Sequence, residues 1–246
     1  MGGLLKWEMK QTFTSKSFWI LGASLVAIPA LLLYLTLSLG EGESSGYQAF
    51  LEGLNNYNAF VIFLIGVFAG IHVTGAFEGR KIQSAVMAGN SRFSILVAKF
   101  LSFSTAVAIY SVVAISVSSV IAFTMHGVNG LDGSFARAVI ARALVYSIVE
   151  IAYSATCFLA SMFIRHLGGS IGLNLGLMLM SNLGAQLLLN FEWAEKVLRF
   201  LPVGQTMMIL YDFSNANIAM ALASCVIAFV AVIALSYVKF GREELK

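Results

Sequence analysis

The sequence predicts an all-α integral membrane protein with six transmembrane helices and both termini in the cytoplasm. Apolar residues make up 59% of its 246 residues and charged residues only 11%, whereas soluble domains contain about 45–50% and about 25%. Six stretches are long and apolar enough to cross the hydrocarbon layer as helices, since a crossing needs about 20 apolar residues. Basic residues are concentrated in the connections that this arrangement places on one side, which indicates its orientation.

The six predicted spans cover residues 18–39, 57–77, 93–124, 139–164, 167–191 and 218–238. The first span contains no charged residue and is about 33 Å long as a helix. Because it is too long for a signal-peptide core and lacks a convincing cleavage site, we expect it to be retained. Too few residues remain between the spans for a soluble catalytic domain. Residues 1–246 are therefore predicted to form a single transmembrane domain.

The distribution of lysine and arginine gives the orientation. Eleven of these residues fall on the side predicted to be cytoplasmic: Lys6, Lys10, Lys16, Arg80, Lys81, Arg92, Lys99, Arg165, Lys239, Arg242 and Lys246. The other side has four, namely Arg137, Arg142, Lys196 and Arg199, and its first loop at 41–56 has three acids and no base. The net charge of +3 is dispersed along the chain, so nothing predicts a nucleic-acid-binding stripe.

The N-terminal residues combine apolar and basic positions at helical spacing. Leu5, Met9 and Phe13 recur every four residues among Lys6, Lys10 and Lys16, and Trp7 suits the level of the lipid headgroups. This pattern predicts an interfacial helix on the inner leaflet before the first span. The alternative is a basic tail that only sets orientation.

A second amphipathic stretch precedes the last span, at residues 192–201. Its apolar arc contains Trp193, Val197, Phe200 and Leu201, and its polar side contains Glu192, Glu195, Lys196 and Arg199. A period of 3.6 residues brings each set to one face, and Pro202 is expected to stop the helix. The stretch is predicted to be an amphipathic helix at the outer surface.

The connection at 78–99 is the most informative of those predicted to be cytoplasmic. Gly89 suits the end of a short helix, and Asn90 or Ser91 suits the N-cap of the long helix that follows. We therefore expect a short helix parallel to the membrane. It either receives force from a soluble partner, or it belongs to a basic loop that sets topology and touches anionic lipid.

Three stretches resemble permease subunits of the type-2 class of ATP-binding-cassette exporters, particularly the short bacterial ones associated with lantibiotic immunity and drug export. They are LLKWEMKQTFTSKSFWI at 4–20, EGRKIQSAVMAGNSRFSILVAK at 78–99 and FLPVGQTMMIL at 200–210. The resemblance implies a multi-pass protein of the bacterial plasma membrane. It also implies that the chain forms the translocation path for amphipathic peptides or hydrophobic drugs.

The resemblance further implies a dimer, made with a second copy or a related permease, that rests on two separately encoded ATPase subunits. The chain has no G-x-x-x-x-G-K-[ST] motif, so it binds no nucleotide through a P-loop. It is expected to bind no cofactor itself, with ATP and Mg on the partner. The coupling helix implied by the resemblance would contact the ATPase through Gly79, Arg80, Lys81, Gln83, Ser84, Gly89, Asn90, Ser91 and Arg92. The short connection around Arg165 and His166 departs from the family pattern.

Polar residues inside the predicted spans are candidates for the translocation path, because an intramembrane charge is costly and usually functional. Glu150 is the one acid well inside a span, with Tyr146 and Tyr153 near it on the same helix. The fifth span adds a stripe that includes Asn174, Asn182 and Gln186. The alternative for these side chains is hydrogen bonding between helices without contact to cargo.

Gly168, Gly172 and Gly176 form two overlapping G-x-x-x-G units on the fifth span. Such a strip allows close approach of another helix. It is either a seam between two permeases or a packing surface within one chain, and the sequence leaves both open.

Two other functions compete with the permease. One is a proton-coupled secondary transporter that uses Glu150, although no internal repeat supports it. The other is a membrane-embedded enzyme, for which the sequence supplies no catalytic constellation. His72, His126 and His166 have no partners at ligand spacing, so no metal site is predicted.

Overall fold

The computed structural model describes residues 2–39, 46–127, 133–188 and 200–241. These ranges contain the helices α1 (Gly2–Thr14), α2 (Lys16–Leu39), α3 (Gly46–Ala69), α4 (Gly75–Glu78), α5 (Lys81–Met87), α6 (Arg92–His126), α7 (Gly133–Phe163), α8 (Leu167–Leu188), α9 (Pro202–Tyr211) and α10 (Asn215–Gly241), with a π-helical turn (Gly70–Thr74) between α3 and α4. No strand occurs in them, which confirms the all-α class. Most of the amphipathic helix predicted at 192–201 lies outside the described residues.

Four helices in the described ranges are long and apolar enough to cross a membrane. They are Lys16–Leu39, Arg92–His126, Ala136–Phe163 and Asn215–Gly241, and they coincide with the predicted first, third, fourth and sixth spans. The predicted second and fifth spans correspond to shorter apolar helices at Phe63–Glu78 and Leu167–Leu179. The arrangement of six spans therefore stays a prediction.

The helix of the second predicted span begins much earlier than residue 57. α3 starts at Gly46, although Gln48, Glu52, Asn55 and Asn56 make its first half polar. Phe50 and Leu54 on this half are fully buried. Packing of one apolar face stabilises the polar first half of this helix. The helix therefore extends beyond the predicted span, whose own boundary stays a prediction.

Two helix boundaries follow from local chemistry, and one differs from expectation. Gly89 adopts a positive φ of +84° after α5, and the Ser91 side chain accepts a hydrogen bond from the Ser94 amide at the start of α6, as predicted. Pro202 is the first residue of α9, which was not expected; the helix at 192–201 that it was predicted to stop lies mostly outside the described residues, so that prediction stays untested. Proline fits a first helical turn because its missing N–H has no partner there.

The core surrounds α6, which packs against α1, α2, α3 and α7. Aromatic rings fill its centre: the Phe68 and Phe103 centroids are 5.5 Å apart, and those of Phe18 and Tyr110 are 4.9 Å apart. The Tyr110 hydroxyl donates to the Phe18 carbonyl at 2.6 Å. A smaller apolar cluster joins α7, α9 and α10 through Val149, Ala152, Ile209, Ala221 and Cys225.

Helix α8 packs closely against α3 and the π-helical turn. A Cβ atom added to Gly66 would lie 3.0 Å from Cβ of Asn174, and one added to Gly70 would lie 2.8 Å from Cγ1 of Ile171. The close approach therefore uses the Gly66–Gly70 pair, a G-x-x-x-G unit that the sequence analysis did not select. A Cβ atom added to Gly168, Gly172 or Gly176 would meet nothing within 4 Å, so the described chain does not use that strip for packing.

Candidate functional site

Residues 78–92, here called the connecting segment, lie at one end of the helix bundle. The chain turns sharply after α4 because Arg80 adopts the left-handed conformation, with φ 53° and ψ 19°. Among the described residues it is the one non-glycine residue with positive φ, a conformation that is uncommon outside glycine and asparagine. The turn starts α5, and Ala88 to Ser91 then redirect the chain into α6. We call this end of the bundle the basic end, after its exposed Lys6, Lys10, Arg80 and Lys81.

The helix α5 lies on the surface with a single buried anchor. Ile82 is 3% exposed, whereas Met87 is 82% exposed. The residues predicted to contact an ATPase come together here: Gly79, Arg80, Lys81, Ser84, Gly89 and Ser91 are exposed, and Gln83, Asn90 and Arg92 are half-buried. The two cations stand at the start of α5 and the exposed Met87 at its end, so this surface offers a protein partner both charge and apolar area.

Both ends of the connecting segment contact the ends of other long helices. Glu78 Oε1 accepts a hydrogen bond from the Leu167 amide, at the first residue of α8, over 2.7 Å. Arg92 Nη1 donates to the carbonyl oxygens of Phe240 and Gly241, at the end of α10, over 2.8 and 2.9 Å. Helix ends leave backbone groups without intrahelical partners, and each charge has the sign that suits its helix end.

The sequence analysis did not find these two contacts. It assigned Arg92 to the ATPase surface, and it did not single out Glu78. Arg92 and Phe240 are 148 positions apart in the chain, so no local spacing could have indicated the pairing. The assignment of Arg92 to the ATPase stays a prediction beside this observed contact.

A buried ion pair fixes α1 at the same end. Lys99 Nζ lies 3.1 Å from Glu8 Oε2, and the two side chains are 5% and 4% exposed. The face of α1 buried against α6 therefore includes Glu8 and Thr12, whereas the predicted apolar row of Leu5, Met9 and Phe13 is only half-buried. Lys99, counted in the sequence analysis only as an orienting base, is a structural residue.

A cleft of about 380 Å³ separates α1 from the connecting segment. Its lining is mostly apolar, with one cation: Leu4, Trp7, Gly79, Lys81, Ser84, Ala85, Ala88 and Asn90. Trp7 is 46% exposed. The cleft thus has one wall from α1 and the other from the connecting segment that contains α5.

A second candidate site, here called the polar cluster, lies in the core between α3, α6 and α7. It consists of Tyr57, Ser111, Tyr146 and Glu150, and each of these residues is at most 1% exposed. Ser111 Oγ donates to Glu150 Oε2 over 2.7 Å, and the Tyr57 hydroxyl donates to Ser111 Oγ over 3.4 Å. Within the described ranges, Glu150 Oε1 and the Tyr146 hydroxyl have no hydrogen-bond partner.

The polar cluster unites two of the predicted path residues, Tyr146 and Glu150, with two that the sequence analysis missed. Tyr57 and Ser111 come from other helices, and only the folded arrangement brings them to Glu150. Tyr153, the third path residue on α7, is 4% exposed. The role of all three in a path stays a prediction.

The predicted path residues on α8 divide into two groups. Asn174 Nδ2 donates to the Gly66 carbonyl over 3.1 Å and to Ser161 Oγ over 2.8 Å, so it joins α8 to both α3 and α7. This is the interhelical bonding that the sequence analysis gave as the alternative. Asn182 and Gln186 lie on α8, but their side chains are outside the described part of the chain.

Comparison with protein families gives one match. A family model described as ABC-2 family transporter protein matches residues 3–245. The match includes the connecting segment, the polar cluster and every described helix. No individually curated protein matches the chain.

Proposed function

The chain belongs to the ABC-2 transporter family, and on this premise we propose that it is the permease subunit of an exporter driven by a separate ATPase chain. It is a multi-pass membrane protein, located in bacteria in the plasma membrane. The sequence has no P-loop motif, so ATP and Mg would be held by the partner. The exposed helix α5 is the observation that carries this proposal, because it offers the partner a surface.

The ATPase docks on the connecting segment. Support comes from the exposure of Arg80 and Lys81 at the start of α5 and of Met87 at its end, and from the adjacent cleft between α1 and α5. A partner surface with an apolar side chain and neighbouring acids would complement both features. Gly79, Gln83, Ser84, Gly89, Asn90 and Ser91 belong to the same surface.

The basic end faces the cytoplasm, with both termini on that side and six spans in all. Support comes from the excess of lysine and arginine in the connections at this end. In this orientation α1 lies along the inner leaflet, and the connecting segment is accessible to a cytoplasmic ATPase. The two shorter apolar helices at Phe63–Glu78 and Leu167–Leu179 would then belong to the second and fifth spans.

The cargo consists of amphipathic peptides or hydrophobic drugs, carried between two permease copies. This class follows the family resemblance, and the scarcity of charge in the spans is compatible with it. Gly168, Gly172 and Gly176 leave room for a helix of the second copy. Tyr146 and Glu150 contribute polar atoms toward the path. ATP binding changes the access of the path only if its two states bind ATP or cargo differently.

Co-purification with the ATPase tests this function. The tagged chain is co-expressed with the ATP-binding-cassette ATPase encoded beside it, and the complex is isolated from membranes. We expect the wild-type chain to retain the ATPase, and peptides or drugs of the cargo class to stimulate ATP hydrolysis. The double variant Arg80→Glu/Met87→Asp is expected to lose at least about tenfold in ATPase binding, as for about 1.4 kcal/mol.

The matched control is Lys10→Glu, which reverses an exposed charge on α1 at the same end. It is expected to retain the ATPase at the wild-type level. No ATPase bound to the wild-type chain would contradict the permease function. Equal loss in the control and in the α5 variant would contradict docking on α5.

A further inference from the structure

We propose that the connecting segment is a two-ended linkage, in which Glu78 transmits the displacement of α5 to α8 and Arg92 transmits it separately to α10. The proposal rests on the proposed function, because the displacement of α5 comes from the docked ATPase. It assigns Glu78 and Arg92 as positioning residues. Neither needs to touch ATP or cargo.

The Glu78 contact joins the start of the segment to α8. Glu78 is the last residue of α4, and only Gly79 and Arg80 separate it from α5. Its carboxylate accepts the Leu167 amide over 2.7 Å, at the end of α8 where the helix dipole favours negative charge. Four residues before Glu78, Thr74 of the π-helical turn makes a further contact between helices. Its hydroxyl donates to the Ser161 carbonyl of α7 over 3.0 Å. Glu78 is thus the polar contact to α8 that lies nearest to α5.

The Arg92 contact joins the other end of the segment to α10. Its guanidinium bonds two successive carbonyls, of Phe240 and Gly241, and its Cζ lies 5.8 Å from the Phe240 ring centroid. Phe93 and Tyr237 pack edge to face with centroids 5.5 Å apart. Arginine at a helix C-terminus satisfies carbonyls that have no intrahelical donor. The end of α10 is therefore held to the start of α6.

The two contacts are suited to transmit motion because of where they lie. Each ends on a terminus of a long helix, so a displacement there moves the helix as a unit. Between the contacts, α5 packs on the bundle through the buried Ile82 and the half-buried Ala85 and Val86, whereas Lys81, Ser84 and Met87 are exposed. Glu78 and Arg92 bond to different helices, so one contact can be removed without removing the other.

Two single-cysteine reporters test the linkage in the complex of full-length permease and ATPase. Position 166 reports on the start of α8 and position 238 on the end of α10, since His166 and Val238 are both exposed. The native Cys157 and Cys225 are buried and are replaced by alanine. Bimane attached through His166→Cys or Val238→Cys is measured with and without ATP, using an ATPase variant that binds but does not hydrolyse it.

We expect ATP to change both reporters in the otherwise wild-type complex. Glu78→Ala is expected to reduce the change at position 166 by between about 2-fold and 30-fold, the range that one contact in a coupled network gives, and to leave position 238 unchanged. Arg92→Ala is expected to do the opposite. Glu78→Gln keeps one acceptor oxygen and is expected to restore part of the change at position 166. Arg92→Lys keeps one donor group and is expected to restore part of the change at position 238. Glu52→Ala, which removes an exposed acid of α3, is the matched control and is expected to change neither.

The outcomes separate the linkage from the proposed function. If the wild-type permease and the ATPase do not form a complex, the proposed function fails. If the complex forms but ATP changes neither reporter, the linkage is wrong. If both reporters respond but Glu78→Ala and Arg92→Ala reduce them equally, or reduce neither, the linkage is wrong. Loss of ATPase binding in Arg92→Ala assigns this residue to docking and also overturns its part in the linkage. Where an alanine variant does not fold, the conservative variant decides, with yield and ATPase co-purification matched to wild type.

Discussion

The basic end and the polar cluster both contain polar side chains that bond between helices, but they differ in how completely their charged groups are paired. At the basic end, Lys99 pairs with Glu8, Glu78 accepts a backbone amide, and Arg92 donates to two carbonyls. In the polar cluster, Ser111 bonds one oxygen of Glu150, while the other oxygen and the Tyr146 hydroxyl have no partner among the described residues. We call the paired charges of the basic end closed contacts, and we call Glu150 Oε1 and the Tyr146 hydroxyl open atoms. The contrast concerns charged groups, because Gln11 Oε1 and Gln83 Oε1 at the basic end also have no partner among the described residues.

The difference separates polar atoms that already hold helices together from polar atoms that can still accept a partner. A buried polar atom without a partner costs free energy, so native structures keep few of them. The closed contacts hold helix termini in place, which suits a region that transmits force. The open atoms of the polar cluster retain the capacity to bond a water molecule or a cargo group, which suits a region that changes its contents. Three sets of substitutions test this contrast.

The largest effect is expected at the closed ion pair. Lys99→Met removes the cation and leaves Glu8 buried without it, and breaking one side of a buried pair costs about 3–5 kcal/mol. The free energy of unfolding in detergent should fall by this amount. The double variant Glu8→Gln/Lys99→Met should recover most of the loss, because a neutral pair of similar volume avoids the unpaired charge.

Lys10→Met is the control for this prediction, because Lys10 is an exposed lysine of α1 whose replacement should stay within about 0.5 kcal/mol of wild type. If the single and double variants unfold alike, the ion pair is not coupled. The basic end would then be no more closed than the polar cluster.

An intermediate effect is expected where two glycine pairs differ in their surroundings. Gly70→Leu places its Cβ 2.8 Å from Ile171 Cγ1, and overpacking of this kind costs about 1–3 kcal/mol. Gly172→Leu meets nothing within 4 Å in the described chain, so the free energy of unfolding of the monomer should not change. Crosslinking and size-exclusion chromatography should instead show a smaller dimer fraction for Gly172→Leu.

Each outcome of the glycine comparison has a definite meaning. An unchanged dimer fraction in Gly172→Leu would argue against the seam between permeases. Equal destabilisation by the two leucines would mean that the strip on α8 is occupied within one chain. The first result would remove the second permease copy from the Gly168–Gly176 strip, and the second result would place another helix of the same chain against it.

The sequence predicted the structural features that depend only on residues close together in the chain. The φ of Gly89 and the cap at Ser91 follow from local backbone chemistry, and the long apolar runs of α2, α6, α7 and α10 follow from composition. The start of α3 could not be predicted in this way, because polar residues lower its hydropathy and its helix depends on tertiary packing.

The candidate sites depend on partners that are distant in the chain. Glu8 and Lys99 are 91 positions apart, and Ser111 and Glu150 are 39 apart, so no periodicity connects them. The choice between two G-x-x-x-G units is similar: both Gly66–Gly70 and Gly168–Gly172 have the spacing, and only the position of the neighbouring helix decides which is packed. Sequence could nominate Glu150 from the cost of a charge in a span, but it could not supply Tyr57 and Ser111.

The smallest effect on stability, and the most informative for function, is expected from Glu150→Gln. Glutamine has the same shape and keeps an oxygen for the Ser111 hydroxyl, and hydrogen bonds between membrane helices contribute about 0.6 kcal/mol on average. The free energy of unfolding should therefore change by less than about 1 kcal/mol. Cargo stimulation of the ATPase should nevertheless fall, because the substitution alters the open oxygen that the path would use.

Asn174→Ala is the matched comparison, since it removes a neutral buried side chain whose Nδ2 bonds Gly66 and Ser161, while its Oδ1, like Glu150 Oε1, has no partner among the described residues. It should cost a similar free energy of unfolding, about 0.6 kcal/mol, and leave cargo stimulation unchanged. The free energy of unfolding and the cargo stimulation of ATP hydrolysis are measured on the same purified complexes. A variant that loses stimulation because it is poorly folded is then recognised by its lower stability. Unaltered stimulation in Glu150→Gln removes this acid from the path. Equal loss in both variants shows that pairing does not distinguish residues that hold helices together from residues that face cargo.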